Sequence, residues 1–290
     1  MRQIRLVKSA YPCMGPKFPG IDFETRCAKP CGYCGVYSIN AGQIIATGMK
    51  EVLGELASGR YNGVYLSPNT DSLNSATREL TQGLLENILP RGLVALINTK
   101  QRIPEETLDL LGRYRDQVII QISVPTLDEE LTREFEFGAS SIRERLETIA
   151  QLKSRGISVT ALIMPWLDIE RDINDLPRAL SAAGATRVIA AFGVFTQETL
   201  EIMRASKYPV LYAAAEKLTS EVRILIGRGM TLPYQERVLA YRRLVDACSA
   251  AGLKARVCSV ALNPDLIGND KEIPICQELR HQSLRESTGK

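Results

Sequence analysis

The sequence predicts an α/β fold, a partial (β/α)6-type barrel. Three observations carry that expectation. Short apolar runs alternate with longer amphipathic ones through most of the 290 residues. Some of the short runs are apolar almost throughout, as parallel strands covered on both faces are. The repeat stops at six or so units, short of the eight that close a barrel, so a partial barrel or strongly curved open sheet fits better.

In chain order, Val36–Ile39 reads as a first strand and Gly48–Ser58 as a helix. Gly63–Ser67 is a second strand, and Ser75–Leu89 has apolar residues at helical spacing. Leu93–Asn98 is a third strand, followed by a helix over Pro104–Tyr114 with proline in its first turn. Val118–Val124 is a buried strand, and the helix over Ser141–Arg155 is closed by Gly156. Val159–Met164 and Arg187–Phe192 are the next strands, separated by a helix near Ile173–Ala183 that ends at Gly184. Gln197–Arg204 and Ala213–Ile226 follow, then a long helix over Tyr234–Ala251 and a last strand at Ala255–Leu262. The expected division is one barrel domain over 1–262, with 263–290 as a polar tail or closing segment.

Composition is that of an ordinary globular chain, with 45% apolar and 24% charged residues. A net charge of +3 with both signs intermixed argues against a nucleic-acid partner, although the C-terminal third is the more basic part. No run is long and apolar enough to span a bilayer, and the N-terminus lacks the pattern of a signal peptide, so a cytoplasmic location is expected. Seven cysteines, three of them within eight positions, read as metal binding in a reducing compartment. The single histidine, His281, lies near the C-terminus and leaves little room for histidine-based catalysis.

Cys27, Cys31 and Cys34 form the pattern C-x3-C-x2-C. Pro30, Gly32 and Gly35 make a regular helix there improbable, so a loop wrapping thiolates around a metal is the better account. A structural zinc site takes four protein ligands, and the remaining cysteines, Cys13, Cys248, Cys258 and Cys276, are scattered singly. Three thiolates on a cubane cluster leave one iron open to a chelating amino acid. A zinc-stabilised binding module stays open as the reading from another class.

The pattern resembles the signature of the radical S-adenosylmethionine (SAM) superfamily, including an aromatic residue, Tyr33, before the third cysteine. Tyr65–Asp71, Ile97–Lys100, Gln121–Val124, Glu136–Arg145 and Ala161–Pro165 are similar, in order and spacing, to blocks of its spore-photoproduct-lyase-like branch. The resemblance covers about residues 27–166. It implies the partial TIM barrel of radical SAM enzymes, a [4Fe–4S] cluster on the three cysteines, SAM, and an external one-electron reductant of flavodoxin or ferredoxin type. It implies reductive cleavage of SAM to a 5′-deoxyadenosyl radical that abstracts hydrogen from substrate.

Cofactor contacts implied by the resemblance sit at strand ends. Lys100 would pair with the methionyl carboxylate, with a solvated loop lysine as the plainer alternative. Ser123 would donate to the carboxylate or ribose, or is simply a small core residue. Asn69, Thr70 and Asp71 would meet the methionyl amine or substrate, or form an ordinary turn. Met164 would lie against adenine, or is core. Tyr33 would pack under adenine or shield the cluster. Arg145 would form a structural ion pair with Glu136 that positions the fourth unit, although in related enzymes the arginine side reaches toward the cofactor.

Two departures bear on substrate. Pro68, beside Ser67, stands where the lyase keeps its hydrogen-donating cysteine, and Gly35 follows the third cluster cysteine where the lyase has an aromatic. A small metabolite is therefore the expected substrate, with repair or modification of a nucleic acid or peptide as the alternative. Cys258 and Cys276 are the candidate hydrogen donors, with inert buried thiols as the plainer reading.

Overall fold

The structure is a computed structural model that describes residues 2–8, 17–24, 27, 31–34, 43–68, 70–166, 172–223 and 228–258. Among the described residues, the main sheet begins with three strands that the apolar runs did not reveal: β1 (Arg2–Val7), β2 (Gly20–Glu24) and β3 (Ile44–Thr47). β1 runs antiparallel to both β2 and β3. The strand expected at Val36–Ile39 lies outside the described residues.

From β2 onward the chain winds as expected. Helix α1 (Met49–Leu56) leads to β4 (Gly63–Leu66), which pairs in parallel with β2. Then come α2 (Arg78–Ile88), β5 (Val94–Thr99), α3 (Glu105–Arg113) and β6 (Val118–Ser123). After β6 the chain forms α4 (Glu129–Phe135) and α5 (Ile142–Ser154), then β7 (Val159–Trp166), α6 (Asp172–Ala183) and β8 (Arg187–Phe192). The sheet runs β11-β8-β7-β6-β5-β4-β2-β1-β3, with β11 being Lys254–Val257. Every pairing from β2 to β11 is parallel, and the strand order does not close on itself, so the barrel is partial.

Two close approaches need glycine. A Cβ on Gly63 would lie 2.3 Å from the Val94 carbonyl oxygen of the next strand, and one on Gly20 would lie 2.8 Å from the Pro68 ring. β4 can therefore lie flush between its neighbours, and Pro68 can lie across the end of β2.

Between β8 and the long helix α9 (Tyr234–Ala250) stands an excursion: α7 (Gln197–Ala205), α8 (Pro209–Lys217), and the antiparallel pair β9 (Ser220–Arg223) and β10 (Arg228–Thr231). The segment read as Ala213–Ile226 thus divides between a helix and a strand. The excursion docks on α4, where the Tyr208 hydroxyl donates to the Glu130 carbonyl at 3.3 Å and Lys207 lies 3.7 Å from Glu134.

Alternation sorts the strand residues into two layers. Val64, Leu66, Ala95, Ile97, Ile120, Ile122, Ala161 and Ile163 face the helices, within one core that extends from Ile4 to Val257. On the inner face, Phe18, Tyr65, Val94 and Leu96 form one small cluster, and Leu162, Ile189, Ala191 and Cys258 form another. Trp166 and Phe192 stack at 4.5 Å near the ends of β7 and β8, and the Tyr241 hydroxyl of α9 accepts from the Phe192 N–H at 2.7 Å. Residues 259–290, which include the rest of the expected last strand and tail, lie outside the described residues.

Candidate active site

The carboxyl ends of β2, β4, β5, β6 and β7 open into a cavity of about 410 Å³. Cys27, Cys31, Tyr33 and Cys34 line it from the loop after β2, and Ser67, Pro68, Thr70 and Asp71 from the end of β4. Lys100 lines it after β5, Ser123 at the end of β6, and Met164 from β7. The ligand face of a β/α barrel is its carboxyl face, so the position agrees with the architecture.

The cysteine loop is anchored locally. Gly32 donates its N–H to the Phe135 carbonyl at 2.7 Å, and the Cys34 N–H closes a turn on the Cys31 carbonyl at 3.0 Å. Cys27, Cys31 and Cys34 are half-buried free thiols. Burial pushes the Cys27 thiol up to about 12 and also raises Cys31, which the Lys100 charge partly opposes. Soft donors held protonated in this way release protons when they bind a metal. Among the described residues, no three His, Cys, Asp or Glu side chains are grouped to hold a single ion. A structural zinc gathers its ligands on one ion, whereas the cysteines of a cubane cluster sit on separate irons.

Glu136, 2% exposed, ties the site together. It accepts the Tyr33 hydroxyl, its Oε1 is 4.0 Å from Lys100 Nζ, and its Oε2 is 2.6 Å from Arg145 Nη1. Burial, then the Glu136 charge, raises Tyr33 well above the usual phenol range and keeps it a donor. Burial pulls Lys100 down, but the negative groups around it outweigh that and its ammonium titrates higher than usual. Lys100 Nζ also lies 5.7 Å from the centre of the Tyr33 ring. The Glu136–Arg145 ion pair expected from the sequence is present. Its extension to Tyr33 was missed, because 103 residues separate the partners and no spacing rule links them.

Arg145 itself does not line the cavity. Its side chain is fully buried, with Nε donating to the Ser140 carbonyl at 2.8 Å and Nη1 to the Ser123 carbonyl at 2.9 Å. Helix α5 fixes it by a capping box between Ser141 and Glu144, whose carboxyl is lowered by its hydrogen bonds from Ser141. Through Nε and Nη1 Arg145 supports the end of β6, while its Nη2 is buried without a hydrogen-bond partner among the described residues.

Asp71 is similarly occupied. Its carboxylate accepts from Thr99 Oγ1 at 2.7 Å, from the Lys100 N–H at 2.8 Å and from the Leu73 N–H at 3.0 Å. It therefore fixes the backbone that carries Lys100. Thr70 Oγ1 is buried without a hydrogen-bond partner among the described residues. Cys258 lies on the inner face with Leu162, Ile189 and Ala191, and Met164 packs against this cluster. Asn69, Cys276, Cys13 and His281 lie outside the described residues.

The Radical SAM superfamily model matches residues 23–180. Curated relatives include an uncharacterised protein of Acidianus two-tailed virus, 25% identical over 58% of this chain and 64% of its own length. An uncharacterised Mycobacterium tuberculosis protein is 26% identical over 78% of this chain and 64% of its own length. The chain thus spans about two thirds of the curated relatives it matches. Among solved structures, a spore photoproduct lyase variant aligns over 86% of this chain and 78% of its own, with TM-score 0.63 and 15% identity. Another variant of that lyase, with bound S-adenosylmethionine and a dinucleoside spore photoproduct, gives TM-score 0.62 at 15% identity over the same shares. SuiB of Streptococcus suis gives 0.55, at 15% identity over 90% of this chain and 53% of its own. At these identities the structural likeness is one of fold.

Proposed function

The chain belongs to the radical SAM superfamily, and on that premise we propose an enzyme that draws hydrogen from a small polar metabolite held at the carboxyl face of the partial barrel. The observation that carries this reading is the meeting of Cys27, Cys31 and Cys34 with Lys100, Ser123 and Met164 around one cavity. The family brings a [4Fe–4S] cluster, SAM and the need for an external reductant. When bound, they supply one-electron cleavage of a sulfonium and abstraction of hydrogen from substrate.

The residues present suit that pair of groups. Three soft thiols on one wall fit a cluster that leaves an iron open to SAM. Lys100, held cationic beside Glu136, would pair with the methionyl carboxylate. Ser123 would add a hydroxyl, Thr70 its unpartnered Oγ1, and Met164 a flat apolar contact for the adenine. Asn69, next to Thr70 in the sequence, would share the methionyl amine. Tyr33, held by Glu136, would cover the cluster side of the cavity, while Asp71 and Arg145 act as positioning residues beneath Lys100 and Ser123. Cys258, packed in the inner-face cluster beside Met164, is the described thiol to test as hydrogen donor; Cys276 is the other.

The choice of a small substrate rests on Pro68 at the cavity wall and on the cavity's modest volume, about 410 Å³. Its test is fractionation. The reduced, reconstituted protein with SAM is given a cell extract split by ultrafiltration. Formation of 5′-deoxyadenosine should rise with the low-mass filtrate; a rise confined to the retained macromolecules would favour a nucleic acid or peptide instead.

A further inference from the structure

Directly below the level of Lys100 and Ser123, adjacent strands each present a neutral polar side chain on the inner face. Asn98 of β5 is in register with Gln121 of β6, and Gln121 with Thr160 of β7. Leu66 of β4 pairs with Ile97, so Ser67 follows at the level of Asn98. Ser67 and Asn98 line the cavity, and Gln121 stands next to Asn98 in register, behind the lining. Branched apolar side chains usually fill such a layer in a β/α barrel.

This row is not satisfied within itself. Ser67 and Gln121 are each 2% exposed. Ser67 Oγ, Asn98 Oδ1 and Gln121 Oε1 are buried and have no hydrogen-bond partner among the described residues. Asn98 is tied from below to the Tyr65 hydroxyl through its Nδ2. Ser67 has φ 50°, a left-handed conformation unusual for serine, and the residue lines the cavity. Buried polar atoms left unpaired cost free energy, and their clustering beside a candidate active site points to a ligand that pairs them.

We propose that Ser67, Asn98 and Gln121 form the substrate-recognition row, and that the group it takes is a neutral amide-type edge, as in a carboxamide or ureide. The two amide oxygens accept N–H groups, and the serine hydroxyl donates to a carbonyl. A carboxylate is disfavoured, because it offers only acceptors to two acceptor oxygens. Lys100 lies one layer above, on the cofactor side, so a neutral substrate group does not compete for its charge. This inference rests on the enzyme reading above and names the substrate class for the same cavity.

The test uses three isosteric probes, acetamide, acetate and acetone, on the reconstituted protein with SAM present. Saturation-transfer NMR measures binding and a crystal soak locates it. Acetamide should occupy the row with its nitrogen on Asn98 Oδ1 or Gln121 Oε1, and acetate and acetone should bind more weakly. Gln121→Leu and Asn98→Leu should each weaken acetamide by up to about tenfold, the upper end for one neutral hydrogen bond. Gln121→Leu keeps side-chain bulk while removing an unpaired oxygen, so its thermal midpoint should hold or rise. Equal binding of acetate, water alone in the row, unchanged acetamide binding in both variants, or failure of both to fold would each overturn the proposal. SAM binding by the wild-type protein in the same preparation reports separately on the enzyme reading.

Discussion

Removing the carboxylate of Glu136 is expected to strand a buried cation. Its side chain is 1% exposed and that of Arg145 is fully buried, with 2.6 Å between Oε2 and Nη1. Breaking a buried pair from one side costs about 3–5 kcal/mol, because the remaining charge stays desolvated. For a domain of up to about 250 residues each kcal/mol lowers the thermal midpoint by roughly 2–4 °C, and the lower end applies best to a chain of 290. Glu136→Ala should therefore melt roughly 6–20 °C below wild type under anaerobic calorimetry, the product of those two ranges. Tyr33 also loses its acceptor, so the cysteine loop loosens and cluster retention during gel filtration should fall. The double variant Glu136→Leu/Arg145→Met replaces both charges by apolar groups and should recover most of the stability. It should not recover cluster retention, because Tyr33 is still unheld. A Glu136→Ala loss below about 1 kcal/mol, the range of an exposed pair, would refute the reasoning.

Lys100→Ala should weaken SAM binding by about 1.5–3 kcal/mol, and Ser123→Ala by about 0.5–1.5 kcal/mol, both read by equilibrium dialysis. The Lys100 ammonium titrates above its usual value, so it stays charged below that point and its contribution is lost only as pH rises through the raised pKa. The affinity gap between wild type and Lys100→Ala should thus be flat between about pH 7 and pH 9; a gap that closes in that interval contradicts the assignment. With Pro68 on the cavity wall, a thymine-dimer spore photoproduct should remain unrepaired in a chromatographic assay, and robust repair would mean that hydrogen comes from another residue. Cys258→Ser should leave SAM cleavage intact and divert the product if that thiol returns hydrogen; if it is only packed, the product stays the same and stability alone changes.

The middle of the fold was legible because its strands are covered on both faces. Val118–Ser123 and Arg187–Phe192 are almost wholly buried and read as strands without any alternation. The edge was not legible for the opposite reason. β2 places Asp22 inside among its apolar residues, and β3 is a four-residue strand with exposed isoleucines, so neither forms a distinctive run. Helix α4 is short and starts on an Asp128 cap, a signal present in the sequence but followed by too few apolar turns to stand out. At the cavity, Lys100, Ser123 and Met164 could be picked from the sequence because they stand at or near the carboxyl ends of strands, where ligands of a β/α barrel bind. What escaped were links across the fold, such as Tyr33 to Glu136 and Asp71 to Thr99 and the Lys100 N–H. The polar row did leave a trace: Asn98 and Gln121 interrupt otherwise apolar strands at inward positions, which apolar packing alone would not select.

The central claim is that Cys27, Cys31 and Cys34 hold a [4Fe–4S] cluster that cleaves SAM in this cavity. Anaerobic reconstitution with iron and sulfide, followed by reduction with SAM and quantification of 5′-deoxyadenosine, tests it most directly. Wild type should become brown, carry about four irons per chain and form 5′-deoxyadenosine, the iron count being that of the cubane. Each single Cys→Ala variant at these positions should lose the complete cluster and the cleavage while keeping the fold. A colourless wild-type protein that binds one zinc and forms no 5′-deoxyadenosine, or a Cys→Ala variant with a full cluster and full cleavage, would contradict the claim.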